Sequence, residues 1–241
     1  MNKDIFLTFD MDWASDEVLK DFYELIVEYD VRGTIHVTHE NKYVDIFSKS
    51  GRLELGIHPN FSFLLEGKND DRGRNYNEII KFYKRIVPSA VCMRSHALVS
   101  SSIFETKYDE NGIKFDLNRY IPPHNGMSIS GWKSPLGNHM VLPFIYEDDV
   151  YLLDSEKKDM KYYLSDSFEA PRIFNFHPVH LFLNTYSFEH YESVKNKMKE
   201  DNFDKYVNHE QKGIRDYFGE LITIAKNNDW NFKTISEGEW K

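Results

Sequence analysis

Short apolar runs rich in β-branched and aromatic residues alternate along the chain with longer stretches whose apolar positions recur every three to four residues. That rhythm belongs to a parallel α/β fold. The runs at 5–9, 34–38, 53–57, 90–93, 141–146, 172–176 and 231–234 predict strands. Helices are predicted over 16–29, 43–49, 77–86, 188–200 and 209–227. The first of these has Ser15 as its N-cap and Val18, Leu19, Phe22, Leu25 and Ile26 on one face. The stretch 108–149 is irregular and holds Pro122, Pro123, Pro135 and Pro143. No repeat, low-complexity tract or linker divides the chain, so residues 1–241 are expected to form one domain, near the size at which a single core stops growing.

Most of these runs end in side chains able to do chemistry. Asp10 and Asp12 follow the first, His58 the third, Arg94 and His96 the fourth, Asp148 and Asp149 the fifth, and His177 and His180 the sixth. In a parallel sheet or barrel the carboxyl ends of all strands lie on one face, so these residues converge there. Against that background His36 and His39, which flank the second run, read as structural. His124 and His139 read as loop residues at the surface, and Cys92 as a small buried hydrophobe. His180 is left open between a partner of a site residue and a core histidine.

Composition narrows the function. Hydrophobic residues make up 41% and aromatics 15%, enough to close a core. The formal charge is −9, and no basic run exceeds Lys157-Lys158, which disfavours nucleic acid as a partner. No stretch approaches the ~18 apolar residues of a membrane span. The single cysteine excludes an internal disulfide and a cysteine-based zinc site. A soluble cytoplasmic protein is expected. Carboxylates and imidazoles together suit zinc, cobalt or nickel, and three protein ligands leave room for water and substrate. An ion so held pulls the pKa of water towards about 7 and polarises a carbonyl, which is the chemistry of amide or ester hydrolysis.

The ordered segments Thr-Phe-Asp-Met-Asp-Trp (8–13), Leu-Gly-Ile-His-Pro-Asn-Phe (55–61), Arg-Ser-His-Ala-Leu (94–98), Leu-Pro-Phe-Ile-Tyr-Glu-Asp-Asp (142–149) and Phe-Asn-Phe-His-Pro-Val-His (174–180) carry a resemblance. The chain resembles the polysaccharide deacetylases (carbohydrate esterase family 4, NodB homology), in particular their divergent WbmS-like branch associated with surface-polysaccharide gene clusters. The resemblance implies an α/β fold, a distorted TIM-like (β/α) barrel with seven or fewer regular strands. It implies Asp10 as general base, Asp12 as metal ligand and His58 as the first metal histidine. Arg94 would hold the base, Asp148 or Asp149 would orient Arg94, with Asp149 carried among the catalytic residues, and His177 would be the general acid. Trp13 or Tyr146 would wall the sugar.

Three departures from the family pattern stand out. Met11 separates two aspartates that are usually adjacent, Ser62 stands where the second metal histidine is expected, and Asn175 replaces a leucine. His96 is the candidate replacement for that histidine, giving Asp12, His58 and His96 as the metal set. The expected function is metal-dependent hydrolysis, zinc first and cobalt or nickel next, removing an acyl group, acetyl above all, from an N-acylated sugar or polysaccharide precursor, the partner being a small-molecule or oligosaccharide substrate. Its rivals are a carbohydrate or nucleotide-sugar binding barrel without metal, and a metal amidohydrolase acting on a small non-sugar amide.

Overall fold

A computed structural model describes residues 3–68, 70–123, 126–198, 200 and 202–240. The strands are β1 (Asp4–Asp10), β2 (Gly33–Val37), β3 (Leu53–Ile57), β4 (Cys92–Met93), β5 (Phe115–Asp116), β6 (Trp132–Lys133), β7 (Met140–Val141), β8 (Tyr146–Glu147), β9 (Arg172–Phe176) and β10 (Asn231–Phe232). The helices are α1 (Asp16–Glu28), α2 (Lys42–Lys49), α3 (Ser62–Leu65), α4 (Tyr76–Ile86), α5 (Ser102–Glu105), α6 (Asp148–Leu153), α7 (Met160–Tyr163), α8 (Pro178–Leu183), α9 (Phe188–Val194) and α10 (Ile214–Asn227). The sheet runs β6-β7-β5-β4-β3-β2-β1-β9-β8, with β10 also paired to β1. Every pairing is parallel except β6 with β7.

Chain length forces this sheet to curl. Val141 ends β7 and Tyr146 begins β8, so a span of five residue steps joins strands near opposite ends of the order. Five residues reach about 18 Å at most, whereas seven strand-to-strand steps of about 4.8 Å would hold them ~34 Å apart in a flat sheet. The result is the expected α/β architecture, a curled half-barrel. Its regular strands are β1, β2, β3 and β9, and the remaining six are two residues each. The run 141–146 is therefore not one strand. It crosses from one end of the sheet to the other around Pro143, with Tyr120 bridged to Phe144 on the way.

All seven residues of β1 are buried, as the centre of a parallel sheet requires. Alternation then sorts them: Ile5, Leu7 and Phe9 join the outer core, where Phe9 meets Phe22 of α1 and Phe218 of α10 at ring distances of 4.7 and 6.2 Å. Phe6 points the other way and packs with Cys92, Leu117, Leu142, Phe144, Ile173 and Ile235 as the barrel's inner floor. Gly33 lets β2 approach β1, since a Cβ there would lie 2.5 Å from the Leu7 carbonyl oxygen.

Helix starts follow their caps. Ser15, Asn41 and Asn75 each accept a backbone N–H of the first turn of α1, α2 and α4. The last two predicted helices are shorter than expected. α9 gives way to a 3₁₀ turn at Lys195–Lys197, where no side chain is buried to hold the helical register. α10 starts at Ile214, where the Asp216 side chain accepts the Gly213 amide at 2.9 Å and the Asn184 side chain, while Asn208 Nδ2 ties the preceding loop to the Asn184 carbonyl at the end of α8. No helix among the described residues is long and apolar enough to cross a membrane.

Candidate active site

Above the apolar floor lies a buried polar layer. Thr8 and Asp10 continue the inward face of β1 beyond Phe6, and the register sets Thr8 against Asn175 of β9 and Asp10 against His36 of β2. Asp10 Oδ1 takes hydrogen bonds from His36 Nδ1 at 2.9 Å and Arg94 Nη1 at 3.2 Å, and Oδ2 takes one from Asn175 Nδ2 at 2.9 Å. Arg94, fully buried, also donates to Asn175 Oδ1 at 2.5 Å and, through Nε, to the Leu117 carbonyl at 3.0 Å. Its guanidinium lies 4.3 Å above the Phe144 ring, which joins this layer to the floor.

Electrostatics within this layer favour an ionised Asp10. Burial works against its charge, but Arg94, His58 and His36 outweigh it and hold the carboxyl well below the ordinary range. Burial and the nearby Arg94 push His36 down to about 4, against the pull of Asp10. The imidazole is therefore neutral near pH 7, with its proton on the nitrogen that faces Asp10.

The second layer is the rim. The strand ends at Asp10, and Asp12 and Trp13 adopt φ of 40° and 54°, a turn that buries Met11 outward and swings Asp12 back over the barrel. Asp12 Oδ1 lies 3.1 Å from His58 Nε2 and 3.2 Å from His96 Nδ1, and its Oδ2 lies 3.6 Å from His177 Nε2. His58 extends from the end of β3, held by its amide on the Val37 carbonyl at 2.9 Å. Donor atoms of Asp12, His58 and His96 all fall within 4.8 Å of one another. Burial opposes the charge of Asp12, yet the imidazoles of His58 and His96 pull its carboxyl below the usual range.

His177 faces Asp12 from β9. Its Nδ1 lies 2.6 Å from Asp148 Oδ1, and its amide donates to Asp148 Oδ2 at 2.7 Å. Burial disfavours the imidazolium, but Asp148 and Asp149 more than reverse this and raise His177 well above the usual histidine range. Nδ1 being engaged, Nε2 is the nitrogen turned towards Asp12. Beside it Asp149 Oδ1 lies 2.6 Å from His180 Nε2, and the other nitrogen of His180 contacts Thr185 Oγ1 at 3.0 Å.

Several assignments need correction. Neither Asp148 nor Asp149 orients Arg94: Asp148 is spent on His177 and Asp149 on His180, while Asn175 and the Leu117 carbonyl hold the guanidinium. The reason is that both aspartates sit in the first turn of α6, directed at the neighbouring end of β9. His180 is thereby a partner of Asp149. Tyr146 is buried among Tyr151, Tyr163, Phe174 and Phe176 and cannot wall a substrate, whereas Trp13 is 39% exposed with its ring edge-on to His96 at 5.1 Å. Ser62 opens α3 and belongs to none of the candidate metal groups among the described residues.

Three functional neighbours were missed. His36 is a partner of Asp10, Asn175 is the hinge between Asp10 and Arg94, and Glu147 is a buried carboxyl pushed up to about 7 by burial. The signal for His36 lay in the polar alternation Thr34, His36, Thr38 within an apolar strand, a second inward-facing polar row beside Thr8 and Asp10. His139 is not a surface residue but fully buried, and His124 lies outside the described residues. Cys92 is a buried thiol whose pKa burial raises well above its usual value, as expected of a packing residue.

The chain is similar to known proteins in the way this geometry leads one to expect. A family model described as WbmS-like polysaccharide deacetylase matches residues 7–195. A solved structure from Bordetella bronchiseptica, WbmS, described as a polysaccharide deacetylase involved in O-antigen biosynthesis, is 29% identical and superposes with a TM-score of 0.82, covering 93% of this chain and 91% of its own. A peptidoglycan N-acetylglucosamine deacetylase (13% identity, TM-score 0.52, covering 100% and 90%) and a Bacillus cereus polysaccharide deacetylase (12%, 0.51, 98% and 93%) share the fold. Among curated proteins none matches the sequence.

Proposed function

Because the chain belongs to the WbmS-like polysaccharide deacetylases, enzymes acting on carbon–nitrogen bonds other than peptide bonds, we propose that it removes an acetyl group from an N-acylated sugar of a polysaccharide precursor, with a divalent transition ion held by Asp12, His58 and His96. One observation carries the metal set: His58 is 2% exposed, and neither of its ring nitrogens is aligned for a hydrogen bond although Asp12 Oδ1 stands 3.1 Å from Nε2, Asp10 Oδ1 3.5 Å from Nδ1, and His96 crowds the ring. A buried imidazole left without hydrogen bonds beside a carboxylate and a second imidazole fits a cation ligand. Such an ion, most simply zinc, supplies polarisation of the acyl carbonyl and a more acidic water.

The chain's own residues do the rest. A carboxylate has about four acceptor positions, and the three donors around Asp10 leave one lone pair on Oδ2 for a water proton. Fixed in place by these donors, Asp10 is the base. His177, kept charged by Asp148, delivers its Nε2 proton to the departing nitrogen and leaves the product as a free amine. Trp13 forms part of a groove of about 430 Å³ with Asn60, Phe63, Asp70, Asp71 and Arg72, an aromatic and polar lining suited to a sugar ring.

The reading is tested with protein reconstituted in zinc and offered N-acetylated oligosaccharides, following acetate and free amine. Stoichiometric release of both supports it. Tight saccharide binding without acetate from metal-loaded protein contradicts it.

Two variants probe the roles. With His177 as acid, activity falls as pH rises through its raised pKa, since the proton to be donated is lost there. Asp148→Asn removes a charge that raises this pKa, so the alkaline limb of kcat/KM is expected to move to lower pH; an unmoved limb would mean another acid. Trp13→Ala, losing roughly 1 kcal/mol of ring contact, is expected to raise KM about five-fold with kcat and zinc content unchanged.

A further inference from the structure

A second cluster of ligating side chains lies away from the rim, behind β5. We propose that Glu105, Asp116 and His139 form a second divalent-cation site, a structural staple separate from the reaction centre.

All three residues are buried, at 7%, 0% and 0% exposure, and their donor atoms lie within 4.8 Å of one another. His139 carries the inference. Neither ring nitrogen has a hydrogen-bond partner, yet Nε2 stands 3.5 Å from Glu105 Oε2. Two ligands of one tetrahedral ion at about 2.1 Å are separated by ~3.4 Å. Asp116 Oδ2 is likewise buried without a partner, while Oδ1 accepts the Asn118 amide and side chain at 3.0 and 2.6 Å. Glu105 keeps Oε1 for Arg119 at 2.9 Å, and its Oε2 accepts from Ser134 Oγ at 3.0 Å. Glu105 and Asp116 thus each have an oxygen held by protein donors, while His139 and Asp116 Oδ2 bring unpartnered buried atoms to the same spot.

Local charge agrees. Glu105 and Asp116 share one Arg119 between them, so a cation offsets the negative charge that remains. Gly137 permits the closure: a Cβ there would lie 3.0 Å from His139 Nδ1 and 3.1 Å from Asp109 Oδ1. One imidazole with two carboxylates suits a borderline divalent ion such as zinc or manganese.

The ion would tie together three pieces of the irregular middle of the chain, namely α5, β5 and the loop between β6 and β7. Through Asn118 it also reaches the rim, because Asn118 Oδ1 accepts the Ser95 amide and hydroxyl, both at 2.7 Å, between Arg94 and His96.

The test counts zinc per chain in chelator-stripped protein after reloading with Zn²⁺ and desalting, for the wild type, for Asp12→Ala/His58→Ala, and for Asp116→Asn and Glu105→Gln separately. The expected counts are two, one, one and one. A count of one in the wild type that disappears in folded Asp12→Ala/His58→Ala protein overturns the second site. A count of one kept by that double variant and lost with Asp116→Asn supports it and removes the ion from the reaction centre instead. Zinc unaffected by both Asp116→Asn and Glu105→Gln also overturns it. Should those two variants fail to fold, melting of Asp12→Ala/His58→Ala decides: zinc raising its Tm by several degrees supports the staple, and no rise overturns it.

Discussion

Asp10→Asn is expected to lower deacetylation by about 10²- to 10⁴-fold, the range for loss of a general base, while zinc at the rim stays bound. The same change should cost stability. Asp10 is met by donors only: His36 Nδ1, Arg94 Nη1 and Asn175 Nδ2. An amide offers one oxygen, so its NH₂ would face a donor, and the fully buried Arg94 would lose its counter-charge. Stranding a buried charge in this way costs about 3–5 kcal/mol. Kinetics on protein shown to be folded, together with a melting curve and a zinc assay, separate the two effects. Activity within a few-fold of the wild type would show that Asp10 is not the base.

His96→Ala is expected to weaken metal binding by more than the roughly 10- to 100-fold typical of an outer partner, and to abolish activity at limiting zinc. His96 is the sharpest choice because the family pattern points to position 62 instead. It reaches the site from another direction: after β4, the turn at Ala97 and Leu98, with φ of 54° and 53°, turns the chain back on itself so that Nδ1 comes within 3.2 Å of Asp12 Oδ1. Isothermal titration of stripped protein with Zn²⁺ measures the effect. An unchanged Kd would remove His96 from the metal set.

The strand ends were legible in sequence because parallel topology gathers them on one face whatever the details between. Asp10, Asp12, His58, Arg94, His96 and His177 meet there. The partners within the layer were less legible. Which of Asp148 and Asp149 serves His177 depends on the entry angle of α6, and periodicity carries no such angle. Asn175 reads as an interrupted family leucine, yet it links Asp10 to Arg94 and so takes the place expected of an aspartate. His139 lay in a proline-bearing stretch without apolar alternation, so nothing local marked it as buried. The run 141–146 looked like one strand because its residues are apolar; they are apolar because the segment crosses the barrel interior.

Acid sensitivity has a source in this same layer. His36 is held down to about 4, so between that pH and the ordinary histidine value the unfolded chain binds the extra proton. Its contribution to stability is complete above about pH 6.5 and is lost as pH falls towards 4. Glu147, pushed up to about 7, acts in the opposite sense, since below that pH the folded chain keeps a proton that the unfolded chain releases until the ordinary glutamate range is reached. Glu147→Gln should therefore steepen the loss of Tm between pH 7 and 5, and a parallel Tm profile in wild type and variant would contradict this balance.

The most direct test is the position of the ion. Crystals grown with zinc, with data collected on either side of its absorption edge, should show an anomalous peak bonded to Asp12, His58 and His96 at about 2.0–2.2 Å. A fully loaded crystal with no peak among those three residues, or with zinc seated only between Asp149 and His180, would contradict the account.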